Sequence, residues 1–226
     1  HNDAYSSALT YRALNCLADL ERLANRPERA ESCEHDAERI RAGYMEKFFN
    51  PETGIIAGWR DRDGDLHDYW FPWVNGTAII YGLVPTDEAN AIVDRFEAKI
   101  REVEYDRFDL GLPICLIPMR KRDYGVMGPD DFPVMGTSVN EDGSDGFGEF
   151  ANGGTGALMA YSYIQALYQL GRREEADRIL WPMMERYAVG GYQNREKPDS
   201  ASGSYSTGLE FMHWNGTPSG YEGFLA

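Results

Sequence analysis

Between Ser6 and Ala24, Leu9, Ala13, Cys16, Leu17, Leu20 and Ala24 recur at steps of three and four residues, the spacing of one buried helix face. Arg26-Pro27-Glu28 breaks that run. Pro27 suits the first turn of a second helix, which Arg29 to Phe48 continues with Cys33, Ala37, Ile40, Tyr44 and Phe48 on its inner stripe. So short a link predicts two antiparallel helices. Asn50-Pro51-Glu52-Thr53-Gly54 then reads as a turn. Ile55 to Asp68 reads as a small hairpin closed at Asp63-Gly64, a dipeptide that tolerates positive φ.

The spacing predicts a third helix over Val74 to Gly82 and a fourth after Pro85, with Thr86 as its cap and Asp87 and Glu88 at the positive end of its dipole. Ala91, Ile92, Phe96 and Ile100 form its stripe. From Glu104 to Glu149 regularity fails around one short apolar run, Leu112 to Met119. A stretch of that length inside a compact protein needs anchoring from elsewhere and is usually functional. Leu158, Tyr161, Ile164, Ala166, Leu167 and Leu170 mark a helix over 156–170, and a further one runs from the 171–177 turn through Tyr187 to a stop at Gly190-Gly191. The tail from Tyr192 is rich in Gly, Ser, Asn and aromatic residues.

The same grammar thus occurs three times: an apolar helix, a short link, a helix with a charged face, then a long polar and aromatic loop. It matches a ring of helical hairpins with the long loops gathered on one rim. The expected fold is all-α, a six-hairpin ring of which residues 1–226 are the C-terminal part. Three hairpins are half of such a ring and would leave apolar flanks uncovered, which implies that the N-terminal part of the same domain is a partner of this chain.

Composition narrows the ligand. A formal net charge of −15, from 37 acidic and 22 basic residues, disfavours phosphate backbones and anionic membranes, so neither a nucleic-acid nor a membrane partner is expected. No window resembles a membrane span, and the start at His1 has no signal-peptide pattern. Cys16, Cys33 and Cys115 lack metal-ligand spacing and read as small buried hydrophobes, with Cys16 and Cys33 able to face each other across a helix pair. Asp61, Asp63 and Asp65 superficially match a calcium loop, but the glycine and the closing acid are misplaced, so no metal or cofactor is expected. Five Trp and fourteen Tyr, several in polar Gly-rich stretches, suit a neutral oligosaccharide or glycoside.

Three clusters precede or follow the apolar helices. The first, 66–75, places His67, Asp68 and Tyr69 beside Trp73 and Asn75; Asp68 could equally be an ordinary loop carboxylate, and Trp73 with Asn75 a packed anchor and its buried hydrogen-bonding neighbour. The second, 148–156, carries Glu149, Asn152 and Gly153, where glycine lets backbone approach a ligand and Asn152 can bond vicinal hydroxyls, or else cap a helix. The third, 208–224, carries Glu210, Trp214, Tyr221 and Glu222. Glycosidic cleavage needs two carboxyl groups, and a carboxylate among aromatic neighbours can have its protonation tuned. Glu222, Asp68, Glu210 and Glu149 are therefore the catalytic candidates. Asp3 and Tyr5 join the candidate pocket with His67, Tyr69, Trp73, Asn75, Asn152, Gly153, Trp214 and Tyr221.

The stretches His1 to Ala8, Phe49 to Gly54, His67-Asp68-Tyr69, Phe150 to Gly154, and Trp214-Asn215-Gly216 with Gly220 to Gly223 together resemble the six-hairpin glycosidase superfamily, in particular its mannosylglycerate hydrolase, glucosidase and trehalase-like branch. The resemblance implies an (α/α)6 toroid, of which residues 1–226 are a partial catalytic domain, and hydrolysis with inversion, with an Asp or Glu acid from mid-domain and a Glu base nearer the C-terminus. On that basis Glu222 or Glu210 matches the base, and Asp68, or a residue before His1, the acid. Asn152-Gly153-Gly154 is followed by Thr155-Gly156, which departs from those members that place Trp or Pro soon afterwards. Alternatives on the same scaffold are a polysaccharide lyase or unsaturated-uronide hydrolase, for which basic residues in the pocket would speak, and a non-catalytic carbohydrate-binding module.

Overall fold

The computed structural model describes residues 2–120, 123, 147–148, 152–189 and 212–216. Among these the fold is all-α with six helices and three small open sheets. Helices α1 (Ala4–Leu23) and α2 (Pro27–Phe48) are followed by α3 (Pro72–Ile80) and α4 (Thr86–Glu102), then by α5 (Ala157–Gln169) and α6 (Arg173–Ala188). Each consecutive pair packs together, and the first members lie in a row, α1 against α3 and α3 against α5. No described helix is long and apolar enough to cross a membrane.

Helix α3 is the centre of the core. Pro72 and the run from Val74 to Ile79 are all buried. Contact with α5 is direct because Gly76 has no side chain: a Cβ there would stand 2.5 Å from Tyr163 N and 2.6 Å from the Ser162 carbonyl carbon. Ser162 Oγ donates to the Trp73 carbonyl at 2.9 Å, fastening the same two helices. On α2 the predicted stripe holds at Ala37, Tyr44 and Phe48, and the Tyr44 hydroxyl donates to the Ala4 carbonyl at 3.0 Å.

Helix α1 departs from expectation. It buries Ala4, Ala8 and Ala18, whereas Leu9, Ala13, Cys16, Leu17, Leu20 and Ala24 are exposed. The face that periodicity marked for burial stays in water here; the buried side carries small alanines, which allow a closer approach to α2 and α3. Leu158 and Tyr161, two of the apolar residues that mark α5, are exposed too. The cysteines are unpaired thiols, and only Cys115 is buried; Cys16 is exposed and Cys33 half-buried. Helix α4 starts at Thr86 itself with no side-chain cap, so Thr86 does not cap it, while Asp87 and Glu88 do occupy its first turn.

The strands are short clips between helices. Antiparallel β4 (Trp59–Arg60) and β5 (Leu66–His67) form the expected hairpin, to which β1 (Asn2–Asp3) adds. Asp61 Oδ1 accepts from the Asp63 and Asp65 amides, both at 2.9 Å, and shapes its turn with Gly64 at φ +97°. Strands β2 (Phe49–Asn50) and β3 (Ile55–Ile56) pair, as do β6 (Leu112–Pro113) and β7 (Thr155–Gly156).

Candidate functional site

Beside the loop entering α3 lies a cavity of about 650 Å³. Its wall includes His67, Asp68 and Tyr69, three consecutive residues of the first sequence cluster, together with Asn50, Glu52, Arg60, Arg120 and Asp123. The turn at 50–54 is part of how Asp68 is held: Asn50 Nδ2 donates to its Oδ2 at 3.2 Å, the Thr53 hydroxyl donates to the same oxygen, and the Trp70 amide donates to Oδ1 at 3.2 Å. Burial still dominates and raises the carboxyl above the usual range, because removing a charge from water costs more than these donors return. Two residues on, Trp70 adopts φ +59°, a left-handed conformation that costs a non-glycine residue about 1–3 kcal/mol and persists only where surroundings enforce it. Here Phe96 packs edge-on against the indole and Lys99 Nζ sits 4.8 Å from its ring centre.

The lining beside Asp68 is ionic. His67 stacks on Trp59 with centroids 4.9 Å apart and planes within 7°. Its Nε2 faces Asp61 Oδ2 at 3.0 Å and its Nδ1 faces Asp123 Oδ2 at 3.3 Å. A neutral imidazole can donate to only one of them; the imidazolium serves both. Hydrogen bonding to His67 lowers the Asp61 carboxyl. The Tyr69 hydroxyl donates to Asp123 Oδ2, and burial, followed by that bond, raises the phenol.

The remaining candidates form two neighbouring groups. Asp3 caps α1, its Oδ1 accepting from the Ser6 amide at 2.6 Å. Tyr5 meets Trp73 edge-on at 4.4 Å, and burial raises its phenol. Trp73 Nε1 donates to the Ile114 carbonyl at 3.0 Å. Asn75 is fully buried and bonds the Ile56 amide and carbonyl, both at 2.9 Å, and the Phe71 carbonyl at 3.1 Å. That makes it a clip between β3 and α3. Asn152 is likewise fully buried, and its Oδ1 accepts from the Met119 amide at 2.8 Å. Gly153 has φ +87°, a Cβ there would stand 2.5 Å from the Phe147 ring, and its carbonyl accepts from Trp214 Nε1 at 2.7 Å.

One segment, 112–119, ties these groups together. Its Leu116 amide donates to the Tyr69 carbonyl at 3.1 Å, its Ile114 amide to the Gly154 carbonyl at 2.9 Å, and its β6 strand pairs with β7. Thr155 and Met212 exchange amide-to-carbonyl bonds at 2.8 and 2.9 Å, bringing in the third cluster. For residues 112–119 of the irregular stretch, the expected anchoring is supplied by the loops entering α3 and α5. Glu149, Glu210, Tyr221 and Glu222 lie outside the described residues.

Sequence reasoning missed Asp123 and Arg120, which sit in the irregular stretch without a telling spacing, and the grip of Asn50 and Thr53 on Asp68. It weighed Asp61 only as a calcium ligand. Among the described residues no group of His, Cys, Asp or Glu is arranged to hold a metal ion. Compared with known families and curated proteins, the chain matches no family model and no curated sequence.

Proposed function

We propose that the chain is part of the catalytic domain of a glycoside hydrolase that cleaves a neutral oligosaccharide or glycoside with inversion. The observation that carries this reading is Asp68: a carboxyl on a cavity wall, raised by burial and oriented by three donors. Such a group keeps its proton to higher pH and can deliver it to the leaving-group oxygen, the part general acid catalysis requires. A second carboxylate activates water on the far face of the sugar. By resemblance that base is Glu222, with Glu210 and Glu149 as competitors. The rings on the cavity wall beside Asp68 are those of His67 and Tyr69, whereas Trp73, Tyr5 and Trp214 are not part of its lining.

For the fold, we read the three hairpins as half of an (α/α)6 toroid. The exposed stripe on α1 and the exposed Leu158 and Tyr161 of α5 support this, because contiguous apolar helix faces mark places where further protein packs. In this reading the N-terminal hairpins of the same domain cover them.

A second reading has a specific observation in its favour. Arg60 and Arg120 line the cavity with Tyr69 and His67, a set able to hold a uronate in a lyase or unsaturated-uronide hydrolase. Elimination would require Tyr69 or His67 to accept a proton, yet the phenol is raised and donates to Asp123 while both imidazole nitrogens face carboxylates. Hydrolysis therefore remains the better reading.

The test is a panel of 4-nitrophenyl glycosides, disaccharides and a uronate polymer, run on the protein and on Asp68→Asn. We expect glycosidic cleavage, with kcat lowered about 10²- to 10⁴-fold by Asp68→Asn. An unsaturated product from the uronate polymer without glycoside cleavage would overturn the assignment, and sugar binding without any cleavage would make the chain a carbohydrate-binding module.

A further inference from the structure

We propose that Asp123 is a positioning residue that clasps two walls of the cavity together, the β4–β5 hairpin through His67 and the loop entering α3 through Tyr69. The role in hydrolysis rests on the function proposed above; the clasp itself does not. Asp123 lies 54 residues from Tyr69 in sequence, and its side chain is only 8% exposed. The Asp123 amide donates to the Arg120 carbonyl at 2.9 Å, and both residues line the cavity. The chain before Arg120 is fixed at both Leu116 and Met119 by bonds to the loops entering α3 and α5.

The contacts converge on one oxygen. Asp123 Oδ2 accepts the Tyr69 hydroxyl and stands 3.3 Å from His67 Nδ1. On its other edge the same imidazole meets Asp61, and one face rests on Trp59, so the ring is fixed on three sides. Each imidazole nitrogen faces a carboxylate oxygen, so the ring cannot turn without breaking one of the two contacts. Asp68 stands between His67 and Tyr69 in sequence. Holding the residue on each side of it leaves little freedom for the intervening backbone, which is the requirement for a proton donor that must meet a leaving oxygen within a fraction of an ångström.

The experiment uses hydrogen exchange and kinetics on the full chain with Asp123→Asn, Asp123→Glu and Tyr69→Phe. In Asp123→Asn the amides of Gly58 and Asp61, which bond within the hairpin, should exchange about tenfold faster while α1 and α2 amides keep their rates. Tyr69→Phe, which keeps the ring, should loosen the loop entering α3 and leave the hairpin amides as they are. With a cleaved 4-nitrophenyl glycoside, Asp123→Asn should lower kcat about ten- to hundredfold with KM nearly unchanged, and Asp123→Glu should restore part of it. Wild-type exchange at Gly58 and Asp61, or acceleration spread equally over α1 and α2, would overturn the clasp. If the parent cleaves no glycoside, the hydrolase reading fails while the exchange result still decides this one.

Discussion

Helices α3 and α1 both carry apolar stripes, and only α3 is enclosed. Helix α3 packs against α1, α4 and α5, and even its Asn75 and Thr77 are buried. Helix α1 packs α2 and α3 through alanines and turns Leu9, Leu17, Leu20 and Leu23 outward. The difference teaches that helical periodicity reports a face that prefers to leave water, without naming its neighbour. Around α3 that neighbour is within the described residues. For α1 the leucine face has none there.

Four measurements break or sharpen this contrast. Gly76→Ala should have the largest effect, about 3 kcal/mol or more by denaturant unfolding, because the new methyl would strike α5 backbone that has no room to move. Asn75→Ala comes next, at about 3 kcal/mol, since it strips both the Ile56 amide and carbonyl of their buried partner. A loss below 1 kcal/mol in both would mean that α3 is not the enclosed centre described above.

The third is a pH effect on the loop that leads into α3. The Asp68 carboxyl is raised in the fold, so its protonated form is favoured there. Its contribution to stability is fully present below the unfolded-state value and is lost as pH rises through the folded value. Asp68→Asn, isosteric and neutral, should therefore gain stability relative to the parent as pH rises from about 4 to 7. Parallel pH profiles of the two melting temperatures would show that the carboxyl is not raised. The smallest effect belongs to α1: Leu17→Ser with Leu20→Ser should change the stability of this chain by about 0.5 kcal/mol or less, as exposed positions do. A loss of several kcal/mol from the same pair in a longer protein carrying further hairpins would support the toroid.

Much of the fold was legible because it depends on local signals. Pro27 at a helix start, the Asp63-Gly64 turn and the stripe of α2 each act within a few residues, and the structure places each where its chemistry predicts. The leucine face of α1 was misjudged because which side meets α2 depends on alanines that carry little hydrophobic signal. At the candidate site, Asp68 stood out through its aromatic company. Asp123 did not, since its partners Tyr69 and His67 are more than fifty residues away and no spacing encodes such a meeting. Asn75 carried two readings in the sequence, ligand contact or buried hydrogen-bonding neighbour, and its occupied amide fits the second.

The 112–119 segment has a consequence for how the molecule comes into being. The helical hairpins close over links of a few residues, whereas this segment makes its bonds to the loops entering α3 and α5 across some forty residues of chain. Contacts of low sequence separation form early and distant ones late. Refolding of the whole should therefore be slower than closure of a single helix pair, with loop-closure entropy as the physical cause.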